Sequence, residues 1–302
     1  MPIAFAGELA ALATSLCFSI APTYFTLAAQ QLGGLIVNRY RLAVSVLLLL
    51  ISHWVFFGTP LPLNAGPERW FWFSVSGLIG LVLGDAALFQ AFVLIGTRLS
   101  MLLFATNPIL AAAMAWLFLG ERLGALEAAG ILVTLAGVAL VVTEKQAANE
   151  EKSRRREYGL GLTFGFLAAA GQAAGLITAK LGLAGDYPTL SGQVIRLLTA
   201  MLILWAWTIA RGQGRSTVAA LRSQPFAVRH ATLGAFFGPF IGIWFSLVAI
   251  QYTEVGVAST LMSLPPIFLL PIGRFVFKET ISKRAVTGTI IALAGVAALF
   301  LV

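Results

Sequence analysis

One acidic residue in this chain demands a chemical explanation. Asp85 follows the run Gly-Leu-Ile-Gly-Leu-Val-Leu-Gly and precedes Ala-Ala-Leu-Phe, and no other acid lies well inside an apolar stretch. A charge in such surroundings costs several kcal/mol unless it is paired or wet, so it marks a functional position by default. Asp85 is expected either to line a cavity, where it would attract an ammonium or titrate a proton, or to act as a hydrogen-bonded strut. Among the bases, Arg196 lies deepest, and a gate or a partner for a carboxylate are both open to it. Arg39 and Arg41 sit early in their run, where they would snorkel or, for Arg41, reach the same cavity as a gating charge. Arg274 falls near a run's end.

Uncharged polar groups and bends fill in around these charges. Ser15, Ser19, Thr106, Asn107, Gln172, Ser259 and Ser263 lie near mid-run, with Phe18, Phe89, Trp244 and Phe245 at similar depth. They would bond between helices or line a mostly apolar site with a few amides and hydroxyls, which suits zwitterions with apolar side chains. Pro22, Pro108, Pro239, Pro265, Pro266 and Pro271 bend helices and free carbonyls, so they mark places where backbone faces a ligand or water. The candidate cavity set is Asp85, Asn107, Pro108, Gln172, Trp244, Ser263 and Pro266, with Arg41 and Arg196 as charges. Gly80 with Gly84, and Gly234, Gly238 and Gly242, recur every four residues and let helices approach closely.

The elements that must hold these residues are read from composition and run length. Of 302 residues 59% are hydrophobic and 11% charged, and mean hydropathy is +0.91; such a chain has too little polar surface to coat a soluble globule. A helix crosses the hydrocarbon core with about 20 apolar residues, and ten runs meet that need: 7–29, 34–57, 70–94, 99–119, 124–143, 158–180, 188–210, 231–252, 256–277 and 284–302. Barrel strands are half as long and alternate. Residues 144–157 form a charged linker between two halves, 1–143 and 158–302, and 211–229 form a second polar stretch. Trp54, Trp70, Trp72, Trp205 and Trp207 fall near run ends, as an interfacial belt does.

The net charge of +8 is topological rather than a nucleic-acid footprint, because no basic stripe with interleaved aromatics occurs. With the N-terminus outside, the inner loops hold Arg98, Lys145, Lys152, Arg154, Arg155, Arg156, Arg211, Arg215, Arg222, Arg229, Lys278, Lys283 and Arg284, against Arg69, Arg122 and Lys180 outside. Positive-inside asymmetry then puts both termini on the periplasmic or extracellular face and the linker in the cytoplasm. Met1 to Gly7 lack the basic residues of a signal peptide, so the first run is expected to be retained. Cys17, the single cysteine, permits neither an intrachain disulfide nor a cysteine-based metal cluster.

The halves repeat without a gap at an offset of 158: Gly80 and Gly238, Gly84 and Gly242, Ala91 and Ala249, Pro108 and Pro266, Glu121 and Glu279, Gly130 and Gly288, Gly137 and Gly295. Leu-Ala-Gly-Val-Ala occurs at both 135–139 and 293–297. Five spans per half invert the second relative to the first, the arrangement that accompanies alternating access. Here the sequence resembles the EamA-like ten-helix branch of the drug/metabolite transporter superfamily. The resemblance rests on Pro108 and Pro266, on Glu121 and Glu279 just after those spans, and on the glycine pairs of the fifth and tenth spans. Lys278 stands where the first half has Gly120. The resemblance implies a carrier, often an exporter of amino acids and other metabolites.

The expectation is therefore an all-α integral membrane protein of two inverted five-helix repeats, acting as a secondary exporter of amino acids or similar metabolites in the bacterial cytoplasmic membrane, as a monomer. Neither cofactor, metal site nor nucleic-acid partner is expected. A Gly-Lys phosphate loop, a His-Glu-x-x-His pair and a Gly-x-Ser-x-Gly elbow are missing, which argues against an ATPase or an intramembrane hydrolase. Glu8 near the outer boundary is too shallow for a proton-for-cation drug antiporter's first-helix acid. The alternatives are an organic-phosphate or nucleotide-sugar carrier, a proton-coupled drug exporter, and, from other classes, a channel or a membrane scaffold.

Overall fold

The computed structural model describes residues 5–142, 155–265, 267–268 and 283–300. Most of the linker, and Pro266, Pro271, Arg274, Lys278 and Glu279, lie outside these described residues. Every regular element among the described residues is helical. The first half comprises α1 (Ala6–Leu32), α2 (Gly34–Phe57), α3 (Pro67–Ser76), a π-helical segment (Gly77–Gly84), α4 (Asp85–Phe104), α5 (Asn107–Leu119) and α6 (Ala125–Val142). The second comprises α7 (Arg155–Gly182), α8 (Thr189–Ala210), α9 (Gly214–Ser223), α10 (Pro225–Ala235), a second π-helical segment (Phe236–Gly242), α11 (Ile243–Tyr252), α12 (Val255–Met262) and α13 (Lys283–Leu299).

The chain is a multi-pass membrane protein. Among the described residues six segments are long and apolar enough to cross a bilayer, and three shorter apolar helices, Asn107–Leu119, Ala125–Leu140 and Val286–Leu299, accompany them. The remaining expected span begins in α12 and runs on into residues outside the described set. α1 and α2 are separated only by Gly33 at φ 78, a left-handed conformation that costs glycine little.

Three features depart from the sequence reading. The turn placed at 95–98 is helical in backbone, yet the chain does reverse there: Leu94 and Ile95 crowd Gly161 of α7, whereas Leu103 crowds Gly165, so the chain has doubled back along the same helix. The polar 211–229 stretch is mostly helix, because Gly214–Ser223 places Thr217 inward and its arginines outward. The fourth span is broken at 105–106, where Thr106 N–H bonds back to Leu103 O at 3.0 Å and Pro108 opens α5. Ser263 N–H closes a similar turn on Thr260 O at 3.0 Å in the second half.

Breaks and π-helical segments both recur at the 158-residue offset, so the internal repeat extends to backbone irregularities. A π turn widens the helix by one residue and displaces carbonyls from their ordinary partners. Side chains of neighbouring helices take them up: Gln172 donates to Gly80 O (3.1 Å), Ser45 to Ala235 O (3.0 Å), Gln193 to Pro239 O (3.2 Å) and Thr14 to Gly242 O (3.2 Å). In hydrocarbon such carbonyls have no water to turn to.

The halves are interleaved. α7 lies along the first half's third span, where a Cβ on Gly175 would fall 2.9 Å from Gly80 Cα and one on Gly171 would fall 3.1 Å from Gly84 Cα. α1 lies along the second half's stripe, Phe25 covering Gly234 and Gly238 and Phe18 covering Gly242. α6 and α13 pair through repeat mates: a Cβ on Gly137 would fall 2.5 Å from Gly288 O, and one on Gly295 would fall 2.8 Å from Gly130 O. A pseudo-twofold axis therefore passes between these helices.

Candidate functional site

Interleaving encloses a cavity of about 360 Å³ between the halves. Phe18, Pro22 and Phe25 of α1 form one wall, Arg41 and Leu42 of α2 another, and Asp85 and Leu88 of α4 a third. Both mid-span breaks reach it, through Ala105, Asn107 and Pro108 on one side and Ser263 and Pro265 on the other. Gln172 of α7, Arg196 of α8 and Gly238 of the second π segment complete the polar and close-packed parts.

Arg41, Asp85, Gln172 and Arg196 form one group joining both halves. Arg41 Nη2 pairs with Asp85 Oδ2 at 2.9 Å, its Nε donates to Asn38 Oδ1 at 2.7 Å, and its guanidinium sits 5.4 Å from the Phe25 ring centre. Gln172 Nε2 donates to Asp85 Oδ1 at 3.1 Å while also holding Gly80 O. Both Asp85 oxygens are thus engaged, and its charge is matched by Arg41. Arg196, 1% exposed, is the largest fully buried side chain among the described residues. Gly77 packs on its backbone, and Gly80 and Gly175 flank its Nη2, where a Cβ would come within 3.2 and 3.5 Å. Gly80 and Gly175 form a slot for the guanidinium, and Gly77 lets the α8 backbone come close beside it.

Trp244 is a correction: it is not part of the cavity wall. Ile243 and Ser246 face the cavity, and one residue on from Ile243 the helix has turned by about 100°, which sends the Trp244 indole to Thr189 Oγ1 of α8 at 3.1 Å. Arg39 does not reach the cavity either; it holds α9 to α2 through Thr217 Oγ1 (2.8 Å) and Gln213. Gly80, Gly84, Gly238 and Gly242 all sit at close helix contacts. Ser19 donates to Pro265 O at 3.3 Å beside the second break. Pro266 lies outside the described residues. Phe25, Leu88, Phe104 and Met262 line the cavity without any sequence signal separating them from the apolar residues around them.

A second polar cluster caps the end of the bundle where the charge count places the outer face. Lys180 pairs with Glu121 at 2.5 Å and donates to Thr253 O at 3.0 Å. Glu121 accepts the first amide of α12, Val255 N–H, at 2.9 Å, and Thr253 donates to Glu8 at 2.9 Å. A carboxylate at a helix start suits that end's partial positive charge. Burial, with Glu127 and Glu121 nearby, pushes the Glu254 carboxyl above its ordinary range, and Lys180 offsets this only in part.

Comparison with known proteins agrees with this architecture. One solved crystal structure superposes with a TM-score of 0.76 over 98% of this chain and 96% of its own, at 17% identity, a likeness that speaks for the fold alone. The WAT1-related protein At3g02690, chloroplastic, of Arabidopsis thaliana is 30% identical over 155 residues, 49% of this chain and 34% of that protein's length. The model of the EamA-like transporter family matches twice, over residues 5–143 and 159–301. Matched along nearly its whole length, the chain belongs to the EamA-like transporter family.

Proposed function

We propose that this transporter exports amino acids, aromatic and other apolar ones included, across a bacterial cytoplasmic membrane by alternating access through the central cavity. The observation that carries this reading is the cavity's composition. Apolar and aromatic side chains make most of its wall, and Arg41, Asp85, Gln172 and Arg196 converge at one place. A small zwitterion with an apolar side chain matches both parts. Lining from both inverted repeats and backbone breaks at mid-span fit a site whose two exits open in turn. With Asp85 held by Arg41 and Gln172, no carboxylate among the described cavity residues is left free to carry a coupled proton, which favours facilitated diffusion.

Counterflow tests this. Purified protein in vesicles preloaded with unlabelled leucine or phenylalanine should accumulate the labelled amino acid transiently. Accumulation of cationic dyes or nucleotide sugars in its place, or uphill amino-acid uptake driven by a pH gradient, would contradict the proposal.

A further inference from the structure

The cavity has one charge too many. Among the described residues three ionisable side chains line it, Arg41, Asp85 and Arg196, and the carboxylate is already held by Arg41 and Gln172. A positive charge is left on Arg196. Its Nε and Nη1 have no acceptor although the side chain is 1% exposed. Leaving charged donors unmet in a buried site is costly, yet the glycine slot at Gly80 and Gly175 leaves room for this guanidinium there.

A second feature of the same cavity favours an anion. The fourth span restarts as α5 at Asn107, and Ala105, Asn107 and Pro108 are part of the cavity wall. The start of a helix carries partial positive charge, and discontinuous helices in carriers present such ends to anionic groups of the solute. Apart from Ser246, Ser259, Ser263 and Gln172, what remains of the wall is apolar, with Phe18, Phe25 and Phe104 prominent.

Building on the transporter reading, we infer that recognition is led by a carboxylate, which pairs with the Arg196 guanidinium while the solute's apolar part lies against the aromatic wall. The Arg fork fits a planar carboxylate in a way a point charge does not. Deaminated analogues, which keep the acid and lose the ammonium, are therefore ligands, and decarboxylated amines are not.

The test uses four compounds that share a side chain: phenylalanine, 3-phenylpropionate, phenethylamine and phenylalaninamide, with the matching leucine series. Each is set against labelled amino acid in counterflow with the full chain. The acids compete at least about tenfold better than the amine and the amide, the factor expected for losing a charge-assisted pair. Arg196→Gln brings all four to within about threefold of each other, and Arg196→Lys, which keeps the charge without the fork, falls between. The lysine variant is read on its own if the glutamine variant is not monodisperse. Equal competition by amine and acid in the wild-type protein, or discrimination that survives both substitutions, overturns the inference. If no compound shows flux, transport itself is refuted. The four compounds are then compared by thermal stabilisation of the solubilised protein, where an amine as effective as the acid overturns carboxylate recognition independently.

Discussion

Breaking the Arg41–Asp85 pair should be more damaging from the acid side than from the base side. The two groups are 2.9 Å apart and only 19% and 18% exposed, and unit charges about 4 Å apart at an effective dielectric constant near 20 attract by about 4 kcal/mol. Asp85→Asn deprives Arg41 of its partner and leaves Arg196 with no opposing charge among the described cavity residues, so it should destabilise by about 3 to 5 kcal/mol, the usual consequence of stranding a buried charge. Arg41→Met leaves Asp85 its Gln172 bond and its attraction to Arg196, so a milder loss, about 2 kcal/mol, is expected. Removing both charges strands neither, and the double variant should recover about 2 kcal/mol relative to the summed single losses. Reversible unfolding of the four proteins in mixed detergent–SDS micelles measures the cycle. Additivity within about 0.5 kcal/mol would show that the pair is not coupled and would remove the reason for assigning the surplus charge to Arg196.

Gly137→Val places its side chain against Gly288 O and Ala292 at the pseudo-twofold contact; overpacking at a backbone contact should cost about 3 kcal/mol or more, seen as a lowered melting temperature and a smaller monodisperse peak. Glu254, its carboxyl raised by burial and by Glu127 and Glu121, should bind its proton more tightly in the folded protein than in the unfolded one. It therefore contributes stability that is full below the unfolded value near about 4.3 and lost as pH rises through the folded value, so Glu254→Gln should flatten the fall in melting temperature over that window. In a Cys17→Ala background, cysteines at Gly185 and Ser223 should be labelled from opposite sides of intact cells, Gly185 from outside; labelling from one side would refute the topology.

Sequence and structure part company where depth along a helix has to be turned into direction around it. Spans were legible because a 20-residue apolar run has few alternatives, and α2 at Gly34–Phe57 spans the residues read from hydropathy alone. The repeat was legible because glycines and prolines punctuate it. But a helix that is apolar all round carries no stripe to say which side faces a cavity. Trp244 and Ile243 are therefore equivalent on paper, as are Phe25 and Phe89, and only packing separates them. The π-helical turns at Gly77–Gly84 and Phe236–Gly242 left no mark either, since a glycine-rich apolar run serves an α-helix equally well. Depth along the span singles out Arg196, yet its slot pairs Gly175 of α7 with Gly80 of the other half, a meeting that only the fold makes.

The two polar groups of the bundle divide their work by position. Glu8, Glu121, Lys180 and Thr253 bind the ends of α1, α5 and α7 to the start of α12, so they close one end of the bundle across both halves. The cavity lies between this clamp and the other end, and the breaks at 105–106 and 263–264 stand at its level. A helix interrupted there has lost hydrogen bonds across the break and bends more easily than an intact one, while the segments on either side stay rigid. On the alternating-access proposal, opening the clamped end would part the Glu121–Lys180 pair, and the breaks would supply joints about which α5 and α12 swing without unpacking the α6–α13 contact, where glycine meets glycine backbone. On that proposal the joints at 105–106 and 263–264 also supply part of the cavity wall, through Ala105, Asn107, Pro108, Ser263 and Pro265.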